Sequence, residues 1–149
     1  WYAQGMLTMI PGPIIEPDVI FEYIMKINET FDVQMNVVDR AGDAEILRML
    51  NMEGLDVYHA PRGYVLSNPT KKLQSLVLQQ KVSYANQIFE WNCSNTQITY
   101  DWNNNIYAHK DNKNSQGKID GVMCVIYCLG PMIDDKILDG SGSYFSIPD

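Results

Sequence analysis

No apolar run in this 149-residue chain approaches the roughly 18–20 residues that a membrane-spanning helix needs. The best candidate, Val122 to Leu129, is far too short, so no membrane role is expected. No secretory leader is expected in Trp1-Tyr2-Ala3-Gln4-Gly5, which has no basic region ahead of an apolar one. Histidine occurs only at His59 and His109, without metal-ligand spacing, and both read as surface or turn residues. No Ser or Cys stands in a recognisable nucleophile setting. Arg62-Gly63-Tyr64 matches no phosphate-cradling loop and reads as a structural turn. Cysteine is scarce. Cys93, Cys124 and Cys128 form an odd set without CxxC spacing, which argues against a disulfide framework and a zinc site. Cys124 and Cys128 read as small core residues of an apolar helix, and this usage fits a reducing cytoplasm. Basic residues are outnumbered 11 to 18, and the net charge of −7 counts against nucleic-acid binding over the whole surface. A local basic groove remains compatible with it.

Nearly half of the residues are hydrophobic, enough for one domain with a real core. Met6 to Ile10 reads as a short strand stopped by Pro11-Gly12-Pro13. Pro17 and Asp18 open a helix with Ile20, Phe21, Ile24 and Ile27 at helical spacing. Val33 to Val38 is a second strand, finishing at Asp39. Asp43 caps a helix that buries Ile46, Leu47 and Leu50 and ends at Gly54. Leu55 to Tyr58 is a third strand. Ser67-Asn68-Pro69 starts a helix carrying Leu73, Leu76 and Val77, and Lys81 to Tyr84 is a short extended piece. A helix over 86–94 turns Ile88, Phe89 and Trp91 inward. Asn103-Asn104-Asn105 signals a β-hairpin near residues 97–109, because Asn tolerates the positive φ of tight turns. A last helix begins at Ile119. Strands alternating with helices indicate an α/β fold with some parallel pairing. Residues 134–149, with Asp134, Asp135, Asp139 and Asp149, are expected to form a flexible acidic tail. The chain begins with Trp rather than Met and is expected to be a piece of a longer protein.

Two aspartates about eighty residues apart suit metal ligation. Asp39 ends the apolar run Val37-Val38, and Asp120 precedes the apolar stretch from Val122. Carboxylates at the ends of core elements are costly to bury alone and become reasonable if they share a cation. Magnesium and manganese are hard cations that prefer oxygen, and paired ions suit phosphodiester cleavage. Local alternatives exist for both: Asp39 as a cap or turn former, and Asp120 as a first-turn acid that complements the helix dipole. Two carboxylates rarely complete such a site, and nothing in Trp1 to Ile10 supplies a third.

Taken in order, these residues resemble the C-terminal nuclease domain of tailed-phage large terminase subunits. Trp1 through Gly5, Leu7-Thr8 and Pro11-Gly12 are similar to the family's Trp, Gly, Leu-Thr and Pro-Gly positions. Val38-Asp39-Arg40 with Leu50 and Glu53-Gly54 resembles its Asp-Arg strand end and the helix that follows. Asn68-Pro69-Thr70-Lys71 with Leu73 is similar to its Pro-Thr-Lys helix start, and Trp91 with Ser94-Asn95 to its Trp-Met-x-Ser-Asn segment. Asn105-Ile106 and Lys118-Ile119-Asp120-Gly121 resemble its Asn-Ile and Lys-Ile-Asp-Gly signatures.

The resemblance implies a ribonuclease-H-like mixed sheet flanked by helices, incomplete at its N-terminus, with residues 1–133 as the partial nuclease domain. It implies a Mg²⁺- or Mn²⁺-dependent endodeoxyribonuclease that cuts concatemeric bacteriophage or prophage DNA in the host bacterial cytoplasm. Asp39 and Asp120 match two of the family's metal-binding carboxylates. Arg40, Lys71 and Lys118 are the candidate DNA contacts. The implied partners are double-stranded viral DNA, the portal protein, the small terminase subunit and an ATPase domain on the same polypeptide. The family's first catalytic aspartate lies upstream of the position matched by Trp1, so this fragment is expected to be weak or inactive. Val37 and Val38 are expected to lack a strand partner, with self-association covering the exposed sheet edge. A non-catalytic docking module of the packaging motor, binding the portal or the small subunit, is the alternative.

Overall fold

The computed structural model of the chain describes residues 1–39, 44–83, 86–110 and 116–134. They form a mixed α/β arrangement of two compact units, Trp1–Ala60 and Pro61–Asp149. In chain order the elements are α1 (Pro17–Thr30), β1 (Asn36–Asp39), α2 (Ala44–Met52), β2 (Val57–Ala60), α3 (Ser67–Leu78), α4 (Gln87–Ser94), β3 (Thr96–Tyr100), β4 (Ile106–Lys110) and α5 (Asp120–Asp134). This mixture of helices and small sheets is what an incomplete ribonuclease-H-like domain leads one to expect.

The first unit is a parallel strand–helix–strand with α1 ahead of it. Pro17 stands at the first position of α1, where its missing N–H costs nothing, and Asp18 lies in the first turn. Phe31 closes the helix, its N–H donating to the Ile27 carbonyl. The side chains of Asn28 and Asn36 then exchange two hydrogen bonds, at 3.0 and 3.1 Å, and tie the end of α1 to the start of β1. β1 and β2 run parallel with Val37 opposite Tyr58, Val38 opposite His59 and Asp39 opposite Ala60. Val37 and Val38 therefore do have a strand partner, contrary to the expectation above. Among the described residues this sheet has two strands. Gly54 takes φ +72°, the left-handed conformation in which a glycine ends a helix at no steric cost. Leu50 and Ala60 are fully buried. Met6 to Ile10 is not a strand, and β1 begins at Asn36 rather than Val33. The expected cap Asp43 lies outside the described residues.

The second unit has the larger core. Leu66, Leu73, Val122, Ile126 and Leu129 are buried together, with Phe89, Ala108 and Val82 packed against them. α3 and α5 pack on one another and α4 packs on α5. The hairpin is antiparallel, with Ile98 opposite Ala108 and Thr99 opposite Tyr107. Asn104 supplies the positive φ of its turn, +59°. Asp101 fastens that turn by accepting from the Asn103 and Asn105 amides at 2.8 and 2.7 Å. Gly63 takes φ +69° in a structural turn ahead of α3. Trp91 is half-buried rather than core, and Lys81 to Ser83 forms no strand. Cys124 and Cys128 are exposed, not core. α5 is apolar nearly all round, so spacing alone does not say which stripe faces inward; the stripe of Val122, Ile126 and Leu129 does.

Candidate metal centre

Asp39 is the last residue of β1, half-buried, at the carboxyl end of the parallel pair. Because the two strands are parallel, their carboxyl ends lie at one edge, with Asp39 beside buried Ala60. In α/β sheets this edge is where ligands collect. The position gives the carboxylate a rigid backbone support and leaves part of it accessible.

Asp120 is the first residue of α5 and is exposed. The Met123 N–H donates to the Ile119 carbonyl at 2.9 Å, so the helix is entered through Ile119. Ile119 has no side-chain acceptor for the open N–H groups of the first turn. That acceptor comes from α4: Asn92 Oδ1 accepts from the Gly121 N–H at 2.9 Å. Asn92 is 4 % exposed, and its Nδ2 donates to the Ile88 carbonyl at 2.8 Å. One residue pair further on, Asn95 Nδ2 donates to the Lys118 carbonyl at 3.3 Å. The two asparagines thus hold the backbone on both sides of Asp120. Gly117 makes the approach of Asn95 possible: a Cβ there would lie 2.7 Å from Asn95 Cγ and Oδ1.

Sequence reading placed Asp39 and Asp120 but not Asn92. Its signal was present: Asn92 sits four residues after Ile88, on the inward stripe of α4, where a polar side chain has to find a partner. Of the candidate DNA contacts, Lys118 is exposed two residues before Asp120, and Lys71 is exposed on α3. Lys71 acts electrostatically on Asp101. Arg40 lies outside the described residues. His59 is exposed on β2. His109 is half-buried in β4; its Nε2 contacts the Thr99 hydroxyl and its ring lies 5.6 Å from that of Tyr107.

The model of the family described as terminase large subunit, endonuclease domain, matches residues 1–135. The chain belongs to that family. No curated protein and no solved structure matches it. The match covers both aspartates and the α4–α5 junction. Terminase nucleases as a family use divalent metals, and Asp39 and Asp120, taken singly, each carry the hard carboxylate donor such a metal prefers, at the end of a regular element. Among the described residues no three His, Cys, Asp or Glu side chains come together as a metal cluster. Among those residues, too, no helix is long and apolar enough to cross a membrane.

Proposed function

We propose that this chain is the metal-dependent, DNA-cleaving part of a viral genome-packaging terminase, with a ribonuclease-H-like fold and with Asp39 and Asp120 as ligands of Mg²⁺ or Mn²⁺. What supports the reading is the family match, which spans both carboxylates. Within a chain matched along 1–135, one ends a parallel strand and the other opens a helix. Bound there, the metal would activate a water and neutralise charge on the scissile phosphate. Asp39 and Asp120 supply oxygen donors. Lys118, exposed beside Asp120, contributes a cation for the DNA backbone, as do Lys71 and Arg40. A two-carboxylate set binds metal weakly, and the resemblance assigns the third ligand to a residue upstream of Trp1. Concatemeric phage or prophage DNA in the bacterial host is the substrate this reading supports. The portal, the small subunit and the ATPase domain are its partners.

The test uses the full-length large subunit. It is expected to nick and linearise plasmid DNA with Mn²⁺ or Mg²⁺, and Asp39→Ala and Asp120→Ala are each expected to abolish cutting. Full cutting by both variants sinks the assignment.

A second reading, a docking module for the portal or small subunit, is favoured by the apolar side chains that α1 leaves exposed, including Ile20, Tyr23 and Ile27. It predicts stable binding to one of those proteins and no metal-dependent cleavage by the full-length subunit. Self-association through the two-stranded sheet of the first unit is the further outcome to watch for by light scattering.

A further inference from the structure

We infer that Asn92 is a positioning residue for Asp120: its side chain caps α5 from another helix and so holds in place the backbone from which the Asp120 carboxylate projects. The inference rests on the reading of Asp120 as a metal ligand. A helix normally receives its cap from the residue that precedes it. Here that residue is Ile119, which is 8 % exposed and belongs to the hydrophobic core. The cap is therefore delivered by a residue 29 positions away. Asn92 suits the task because both of its polar atoms are committed. Oδ1 accepts from Gly121, and Nδ2 donates to Ile88 within its own helix, which locks the amide in one orientation. The Thr96 hydroxyl donates to the Asn92 carbonyl at 2.8 Å and holds the backbone of that turn as well.

The consequence for Asp120 is direct. Gly121 is its neighbour, so restraining the Gly121 N–H restrains the peptide plane that carries the Asp120 carbonyl. Lys118 is held two residues earlier by Asn95. Between these two restraints the Asp120 backbone has little freedom, while its side chain stays exposed to receive a cation. Removing a hydrogen bond that orients a metal ligand typically weakens metal binding about 10- to 100-fold.

The test measures Mn²⁺ binding to the nucleotide-free full-length large subunit by the electron-spin resonance of free Mn²⁺, alongside amide hydrogen exchange. Asn92→Leu removes both hydrogen bonds at similar volume. It is expected to weaken Mn²⁺ at least about 10-fold and to speed exchange at Gly121 and Val122 relative to Ile126. Leu129→Ala, a core change on the same helix, is expected to lower the melting temperature without changing Mn²⁺ affinity. An equal loss of affinity in both variants would reduce Asn92 to a stability role and overturn the inference, as would unchanged binding in Asn92→Leu. If Asn92→Leu does not fold, Asn92→Asp decides. It keeps the acceptor for Gly121 and is expected to bind Mn²⁺ at least as tightly as the parent; a fall to the level of Asp120→Ala overturns the proposal. Parent-like binding in Asp120→Ala, or no binding by the full-length parent, instead removes the metal reading itself.

Discussion

The Ser67 hydroxyl accepts from the Ile106 N–H at 3.0 Å, joining the first residue of α3 to the first residue of β4 across 39 positions. Both residues are buried, at 3 % and 1 % exposure, so water has no access to replace the bond. Ser67→Ala would leave the Ile106 N–H unsatisfied in the core. The expected cost is about 1–3 kcal/mol, read as a lower urea midpoint at unchanged slope. A change within experimental error would mean that the hairpin does not depend on α3 for its first residue.

The core around α5 makes a second prediction. Ile126 is 1 % exposed and sits among Leu66, Leu73, Val122 and Leu129. Ile126→Ala is expected to cost about 2–5 kcal/mol, whereas Cys124→Ser on the exposed stripe of the same helix should fall within about 0.5 kcal/mol of the parent. Comparable losses from the two substitutions would place the inward stripe of α5 elsewhere.

These two helix faces show what was legible in the sequence and what was not. Gly54 and the Asn103-Asn104-Asn105 turn were legible because positive φ restricts residue type, and Gly54 and Asn104 take it at +72° and +59°. α5 was legible as a helix but not in its rotation, because an apolar residue occupies almost every position. Met6 to Ile10 carried the composition of a strand, but a strand exists only through a ladder, and no described strand pairs with it. Asp39 and Asp120 were legible as candidates because each interrupts or borders an apolar run. The α4–α5 clamp was not, since Asn92 and Gly121 lie 29 residues apart and meet only through packing.

Cys124 and Cys128 carry a third prediction. Both are exposed, yet partial desolvation of their sulfurs pushes the thiols up, with the Asp120 charge adding to the effect at Cys124 and Cys124 itself at Cys128. A raised thiol holds less thiolate at neutral pH, and the thiolate is the reactive form. Both should react with Ellman's reagent in the folded protein, slowly at pH 7 and faster as pH rises through and beyond the ordinary thiol value of about 8.5. Labelling seen only after denaturation would contradict the exposure of this stripe.

Asp101 gives the hairpin a pH dependence. Desolvation raises its carboxyl, but the Asn105 side chain, the Asn105 and Asn103 amides and Lys71 together outweigh that and lower it from the ordinary aspartate value. A depressed carboxyl stabilises the fold fully above its unfolded value of about 3.9, and that contribution is lost as pH falls through the folded value. The turn amides of Asn103 and Asn105 should therefore shift and lose exchange protection only in acid, at a pH below the ordinary aspartate value. Asp101→Ala should show the acid-form spectrum at neutral pH. An Asn105 amide that titrates like that of an unstructured peptide would mean that the carboxylate does not hold the turn.

Gly117 tests the other half of the clamp around Asp120. A Cβ at this position would come within 2.7 Å of Asn95 Cγ and Oδ1, too close to be absorbed without movement. The displaced side chain is the one whose Nδ2 holds the Lys118 carbonyl at 3.3 Å. Gly117→Ala should thus cost about 1–3 kcal/mol through overpacking, and the cost should depend on Asn95. In an Asn95→Ala background the two atoms at 2.7 Å are gone and the nearest contact is Asn95 Cβ at 3.1 Å. The same substitution should then be markedly cheaper, giving a coupling of about 0.5–3 kcal/mol in a four-protein unfolding cycle. Additive costs across that cycle would show that Gly117 is required for the path of its own backbone and not for the approach of Asn95.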